Sequence, residues 1–205
     1  MNRPWDLFFR EIIRKVFSDK RVVIDIGGGL RIIREKGNKY DSSREWIRPL
    51  LKNVDYKVMD PVDTFNPDIV GDIHNMPFPP ESLDSIICLA VLEHVENPIK
   101  ACEEIYRTLK PNGYCFAYVP FLYYYHAEKG YYGDYWRFSR DTISYLFKRF
   151  SVMEIEPVRG AIETLLRLTP FGRSSILSYI CYYLDRITGK YKSNQVSGYY
   201  IFLIK

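Results

Sequence analysis

Apolar residues at three- and four-residue spacing open the chain. Trp5, Phe8/Phe9, Ile12/Ile13 and Val16/Phe17 predict a helix over 5–17, with Pro4 in its first turn, where no amide donor is needed. The pattern then changes. RVVIDI at 21–26 is a short β-branched run without alternation, as in a strand buried on both faces, and it ends on Gly27-Gly28-Gly29. Trp46, Ile47, Leu50 and Leu51 predict a helix over 43–51, although Pro49 works against it. Further strands are read at 56–59, ending at Asp60-Pro61, and at 69–70, ending at Gly71-Asp72. A third apolar run follows at 83–89. Asn97 and Pro98 open a helix whose inner face is Ile99, Cys102, Ile105/Tyr106 and Leu109. Pro111-Asn112-Gly113 turns the chain into a strand at 114–119. A Ser139-capped helix over 139–147 and strands at 152–155 and 199–204 complete the series. Residues 161–188 are helical in pattern, broken at Pro170-Phe171-Gly172.

Strands alternating with helices predict an α/β domain: a mostly parallel, seven-stranded sheet in a three-layer sandwich. The long connection before the last strand predicts an antiparallel strand closing an edge. One domain is expected over 1–205, with two departures from a minimal unit. These are an aromatic segment at 120–138 and a helical insert at 161–188.

Composition narrows the function. The chain has 205 residues, 47% hydrophobic and 26% charged, which suits a globular protein and excludes a disordered one. Twenty-nine basic against 25 acidic residues leave +4, too little to argue for nucleic acid. No apolar run approaches the roughly 18 residues of a membrane helix, and Asp6 and Glu11 interrupt any signal-like N-terminus. Cys88, Cys102, Cys115 and Cys181 show no CxxC spacing. They are expected to be reduced thiols in a cytoplasmic protein, with no metal site. The unusual count is aromatic: 18 Tyr, 12 Phe and 3 Trp.

Open parallel sheets bind ligands beyond the carboxyl ends of their strands. There the chain places Asp25 with Gly27, Gly28 and Gly29, then Asp60, then Asp72-Ile73, then Leu89-Ala90. Glycines admit a sharp turn and close ligand approach. Asp60 suits a ribose diol, Asp72 an adenine amino group, and Ile73 the adenine ring. An adenosine-containing ligand is therefore expected. A dinucleotide fingerprint would carry a glycine where Ile32 stands, and no helix start follows to hold a pyrophosphate. A cationic, phosphate-free ligand fits better, its charge favoured by Asp25.

VVIDIGGG (22–29), VMDP (58–61), VGDIHNMPFPPESLDSIICLAVLEHVENP (70–98) and EIYRTLKPNGY (104–114) resemble the class I S-adenosylmethionine-dependent methyltransferases, most closely the UbiE-like type 11 group. The resemblance covers about residues 20–155. It implies a Rossmann-like fold with S-adenosylmethionine as cofactor. The glycine loop would hold the methionine part, Asp60 and Pro61 the ribose end, Asp72-Ile73 the adenine, with Leu89-Ala90 beside the methionine. Leu30 to Lys39 departs from the family, reading as a basic extension where a helix is usual, with Arg31–Lys39 a solvated, mobile loop.

The acceptor is less legible. Leu89-Ala90-Val91-Leu92 stands where nucleic-acid amino-methyltransferases carry Asn/Asp-Pro-Pro-Tyr/Phe, and Cys115 lies inside a strand, not in a Pro-Cys nucleophile motif. An oxygen acceptor or a small-molecule amine is favoured. His94 reads as a base or as a residue fixing its loop. In PFLYYYHAEKGYYGDYWRFSRDT (120–142), His126 is a candidate base and Arg137 a phosphate or carboxylate clamp. Tyr132, Tyr135 and Trp136 could stack on a sugar or apolar ring. The alternative is a lid packed by aromatics, with Asp134–Arg137 as an internal ion pair. The expected substrate is a small-molecule, glycan or lipid-linked acceptor, methylated at oxygen. The insert 161–188 reads as a membrane-surface face, a cap on the fold or a homodimer contact. The rival readings are an RNA methyltransferase, a non-catalytic cofactor-binding subunit, and an NAD oxidoreductase.

Overall fold

The computed structural model describes residues 3–36 and 39–205. Seven strands form one sheet: β1 (Val22–Ile26), β2 (Asp55–Asp60), β3 (Ile69–Val70), β4 (Leu83–Leu89), β5 (Leu109–Pro120), β6 (Val152–Val158) and β7 (Gly198–Ile204). Their order is β3-β2-β1-β4-β5-β7-β6. The first five pair in parallel, and β7 runs antiparallel to both neighbours.

Side chains alternate across the sheet with the two-residue period of extended chain. Ile24, Ile26, Ile86, Cys88, Cys115 and Ala117 face one core, with Ala101, Cys102 and Ile105 of α2 (Pro98–Thr108) and Ile143 of α3 (Arg140–Leu146). Val23, Ile87, Leu89, Phe116 and Phe202 face the other, against Phe9, Ile13 and Val16 of α1 (Pro4–Asp19). All four cysteines are free.

Three expectations are corrected. The last strand is antiparallel but not at the edge: β7 lies between β5 and β6. Its GYYIFLI run is buried nearly throughout, whereas β6 exposes Val152 and Glu154 and tolerates an edge. The segment expected as a helix over 43–51 is a 3₁₀ helix, Ser42–Asn53, capped by Asp41, which accepts from the Ser43 N–H at 3.0 Å. Pro49 lacks the N–H that an α-helix interior requires. The stretch after the glycines is only partly solvated: Arg34, Glu35 and Lys39 are exposed, but Leu30 and Ile32 are buried in the core. The Arg44 guanidinium donates to Gly29 O at 2.7 Å. Gly37 and Asn38, part of that reading, lie outside the described residues.

The insert forms a helical hairpin, α4 (Ala161–Arg167) and α5 (Ser175–Ile187). Buried Asp185 of α5 accepts from the N–H groups of Ile162 and Glu163 at 2.9 and 3.0 Å, so one helix caps the other's open amides. Arg3, just before α1, pairs with buried Glu163 and donates to Ser178, tying the hairpin to the body of the fold.

Candidate active site

At the carboxyl ends of β1, β2 and β4 lies a cavity of about 530 Å³. The glycine loop forms its floor. Gly27 and Gly28 have φ of +70° and +59°, and the Gly27 N–H donates to Met59 O at 2.8 Å, joining the loop to β2. A Cβ on Gly29 would meet Leu89 O at 2.7 Å, so the loop lies directly on the end of β4. Ala90 follows β4 in left-handed conformation (φ +57°), held by its N–H to Tyr118 O at 3.0 Å. Such backbone is costly for a side-chain-bearing residue and collects at functional sites.

Gly27, Gly29, Asp60, Pro61, Asp72, Ile73, Leu89 and Ala90 all line this cavity. Asp60 is 6% exposed, accepts from the Val62 N–H at 2.8 Å, and has its carboxyl pushed above the ordinary range by burial. Asp72 caps the short 3₁₀ turn Ile73–Asn75 and faces the His74 Nδ1 at 2.7 Å. Gly28 does not line the cavity, and neither does Asp25. Asp25 is fully buried; its Oδ2 accepts from Tyr56 O–H at 2.6 Å and Leu30 N–H at 3.0 Å. It anchors the loop from below. Arg31 and Lys39 also line the cavity. Sequence reasoning missed them because it read that stretch as solvated.

The lid at 120–138 covers the other wall. Tyr131 stacks on Phe65 with ring centres 4.9 Å apart, bridging the lid to the chain after β2. Tyr132 packs on His94 at 4.5 Å, and Tyr135 lines the cavity. The Trp136 Nε1–H donates to Val95 O at 2.8 Å, so Trp136 latches the lid. Arg137 takes the alternative role, the internal ion pair with Asp134. It holds both Asp134 oxygens at 2.6 and 2.8 Å and donates to the carbonyls of Tyr123, Tyr124 and Trp136. Those bonds use its five N–H groups, leaving none for a ligand, and it does not line the cavity. It is a strut inside the lid, and it holds the Asp134 carboxyl down at about 2.

His94 and His126 converge at the lid side of the cavity, ring centres 4.8 Å apart. Behind them stands Glu93, 1% exposed, with Oε1 3.6 Å from His126 Nε2 and 3.8 Å from His94 Nε2. The Glu93 carboxylate holds the His126 imidazole above its ordinary range, against the opposing effect of burial. Glu93 backbone oxygen also receives the N–H groups of Tyr135 and Trp136, so one residue holds both the cluster and the lid.

Comparison with known proteins follows this geometry. A family model described as "Methyltransferase domain" matches residues 43–117, from the 3₁₀ helix into β5. Residues 43–117 are thus similar to a methyltransferase domain, and the sheet has the Rossmann-like fold of S-adenosylmethionine-dependent methyltransferases. The same fold is seen in an Archaeoglobus fulgidus S-adenosylmethionine-dependent methyltransferase, at TM-score 0.60 and 15% identity over 99% of this chain and 100% of that one. A Thermotoga maritima S-adenosylmethionine-dependent methyltransferase gives TM-score 0.54 at 14% identity, over 98% and 96% of the two chains. Haemonchus contortus phosphoethanolamine N-methyltransferase 2, in complex with S-adenosylmethionine, gives 0.51 at 16% identity, over 96% of this chain and 52% of that one. No curated protein matches by sequence.

The cavity suits the methyl donor. Among the described residues no helix begins at the glycine loop to bind a pyrophosphate, while buried Asp60 and apolar Ile73 line the cavity. The loop anchor has a stability signature. Burial raises the Asp25 carboxyl from 3.8 to about 6. The folded state therefore holds this proton more tightly than the unfolded chain. Asp25's contribution is fully present below about pH 4 and is lost as pH rises toward 6, by about 3 kcal/mol. Asp25→Asn keeps an acceptor for Tyr56 and Leu30 but cannot ionise. In urea unfolding at pH 4 to 7, the variant should lose this component of the slope; identical profiles would contradict the assignment.

Proposed function

We propose that this enzyme transfers a methyl group from S-adenosylmethionine to an oxygen of a small-molecule, glycan or lipid-linked acceptor held under the lid. When bound, S-adenosylmethionine supplies a methyl group on a cationic sulfur. Asp60 accepts from the ribose hydroxyls, Asp72 and Ile73 meet the adenine, and Gly27 and Gly29 admit the ligand against the main chain. Arg31 and Lys39 offer positive charge for the methionine carboxylate. Leu89 and Ala90 border the methionine side.

The observation that carries the oxygen acceptor is the Glu93–His94–His126 cluster at the lid wall. A hydroxyl must shed its proton as it attacks carbon, and these groups stand where that charge develops. Tyr131, Tyr132 and Tyr135 give the flat faces on which a sugar or ring packs.

Acceptor delivery from a lipid surface is supported by the helical hairpin. Leu165, Phe171, Ile176 and Ile187 are 62–82% exposed, with exposed Arg173 and Arg186 among them. Apolar side chains within a basic rim suit an anionic bilayer. Among the described residues no helix is long and apolar enough to cross a membrane. The test is transfer of labelled methyl to hydroxyl-bearing glycans, offered free and lipid-linked in anionic vesicles, with the product bond identified by NMR. A methyl ether or ester, formed faster on vesicles, is expected. An N-methyl product would overturn the oxygen assignment, and equal rates would overturn the lipid surface.

A further inference from the structure

Resting on the reading of the lid wall as the acceptor end, one feature of the cluster points further. His94 Nδ1 lies 2.6 Å from Gly133 O, and His126 Nδ1 lies 3.1 Å from Tyr124 O and 3.2 Å from Asp134 Oδ2. Carbonyl and carboxylate oxygens only accept, so both Nδ1 atoms carry the hydrogen and donate. In the neutral rings each Nε2 is then a bare lone pair turned toward Glu93. Both Glu93 carboxylate oxygens are buried and lack a hydrogen-bond partner among the described residues. Three acceptors thus converge with no donor between them among the described residues, one of them the buried Glu93 carboxylate, whose unmatched oxygens call for a partner.

One proton on His126 answers one pair and leaves the His94 lone pair unmatched. A cation answers all three. The three ligand atoms lie within 4.8 Å of one another. With Glu93 Oε1 3.6 and 3.8 Å from the two Nε2 atoms, the three are close enough for one ion between them to reach all with small side-chain adjustments. The back-side bonds that fix both rings are those that metal-binding histidines make.

We propose that Glu93, His94 and His126 bind one zinc-type divalent cation at the acceptor end of the cavity. Three protein ligands leave a coordination position toward the cavity, where an acceptor hydroxyl can sit and become more acidic. The ligands come from two loops, after β4 and after β5, so no local spacing announces them, and the four cysteines take no part.

The experiment titrates chelator-stripped full-length protein with Zn²⁺ by calorimetry, without donor or acceptor, and repeats it with Mg²⁺. One Zn²⁺ per chain at micromolar affinity or tighter is expected, with Mg²⁺ at least about 100-fold weaker because two ligands are nitrogen. Glu93→Gln and His126→Ala should each weaken Zn²⁺ at least about tenfold. Melting curves without metal show that each variant is folded; the near-isosteric Gln and the part-exposed His126 site give two independent chances. Absence of Zn²⁺ binding, or equal affinity in both folded variants, would overturn the site. A parallel titration with S-adenosylmethionine separates this from the functional reading: loss of donor binding with Zn²⁺ retained sinks that reading, and the reverse sinks only the cation site.

Discussion

Replacing His126 by alanine is expected to lower turnover at least about 100-fold while methyl-donor affinity changes less than about twofold. The split follows from position. His126 is on the lid, with its Nε2 turned to Glu93, whereas Asp60 and the glycine loop belong to β2 and β1. Its side chain is 25% exposed, so truncation opens a gap that water fills rather than a sealed void. Stability should therefore fall by only about 1 kcal/mol, the ordinary size for a point change. Turnover is read as S-adenosylhomocysteine released with the acceptor found by labelled transfer. Donor affinity is read by calorimetry. Full activity would remove His126 from the chemistry, and a parallel loss of donor affinity would make it part of the donor site.

The second large effect belongs to Asp60→Ala. Removing the carboxylate strands its polar partners, a penalty of about 1–3 kcal/mol, or roughly 5–150-fold in the dissociation constant for S-adenosylmethionine. Part of that change acts on the apo loop, because Asp60 also receives the Val62 N–H. Asp60→Asn keeps an acceptor there and should fall between wild type and alanine. Unchanged affinity in the alanine variant would refute the ribose assignment.

The strand-end half of the cavity was legible because its signals are local. An acid directly after a strand, as at Asp60 and Asp72, sits at the strand's carboxyl end whatever the rest of the chain does. Asp25 shows the limit of that rule. It follows the same logic, yet its in-strand position turns it inward to Tyr56, and alternation decides the matter. The lid half was legible in residue type and not in arrangement. Arg137 carries the charge of an anion clamp, but Asp134 three residues earlier and the neighbouring carbonyls consume it. Glu93, like His94 beside it, reads as a base or as a residue fixing its loop; only the lid folding over it makes it a buried carboxyl. The position of β7 rests on a pairing between segments far apart in the chain, which periodicity cannot report.

The central claim is that the cavity at the strand ends receives S-adenosylmethionine. Its most direct test is calorimetric titration of the full-length protein with S-adenosylmethionine and, separately, with NAD. Saturable binding of one S-adenosylmethionine per chain, weakened in Asp60→Ala, with no heat from NAD, is the predicted result. Tight binding of NAD, or no heat and no rise in melting temperature with S-adenosylmethionine, would contradict the account.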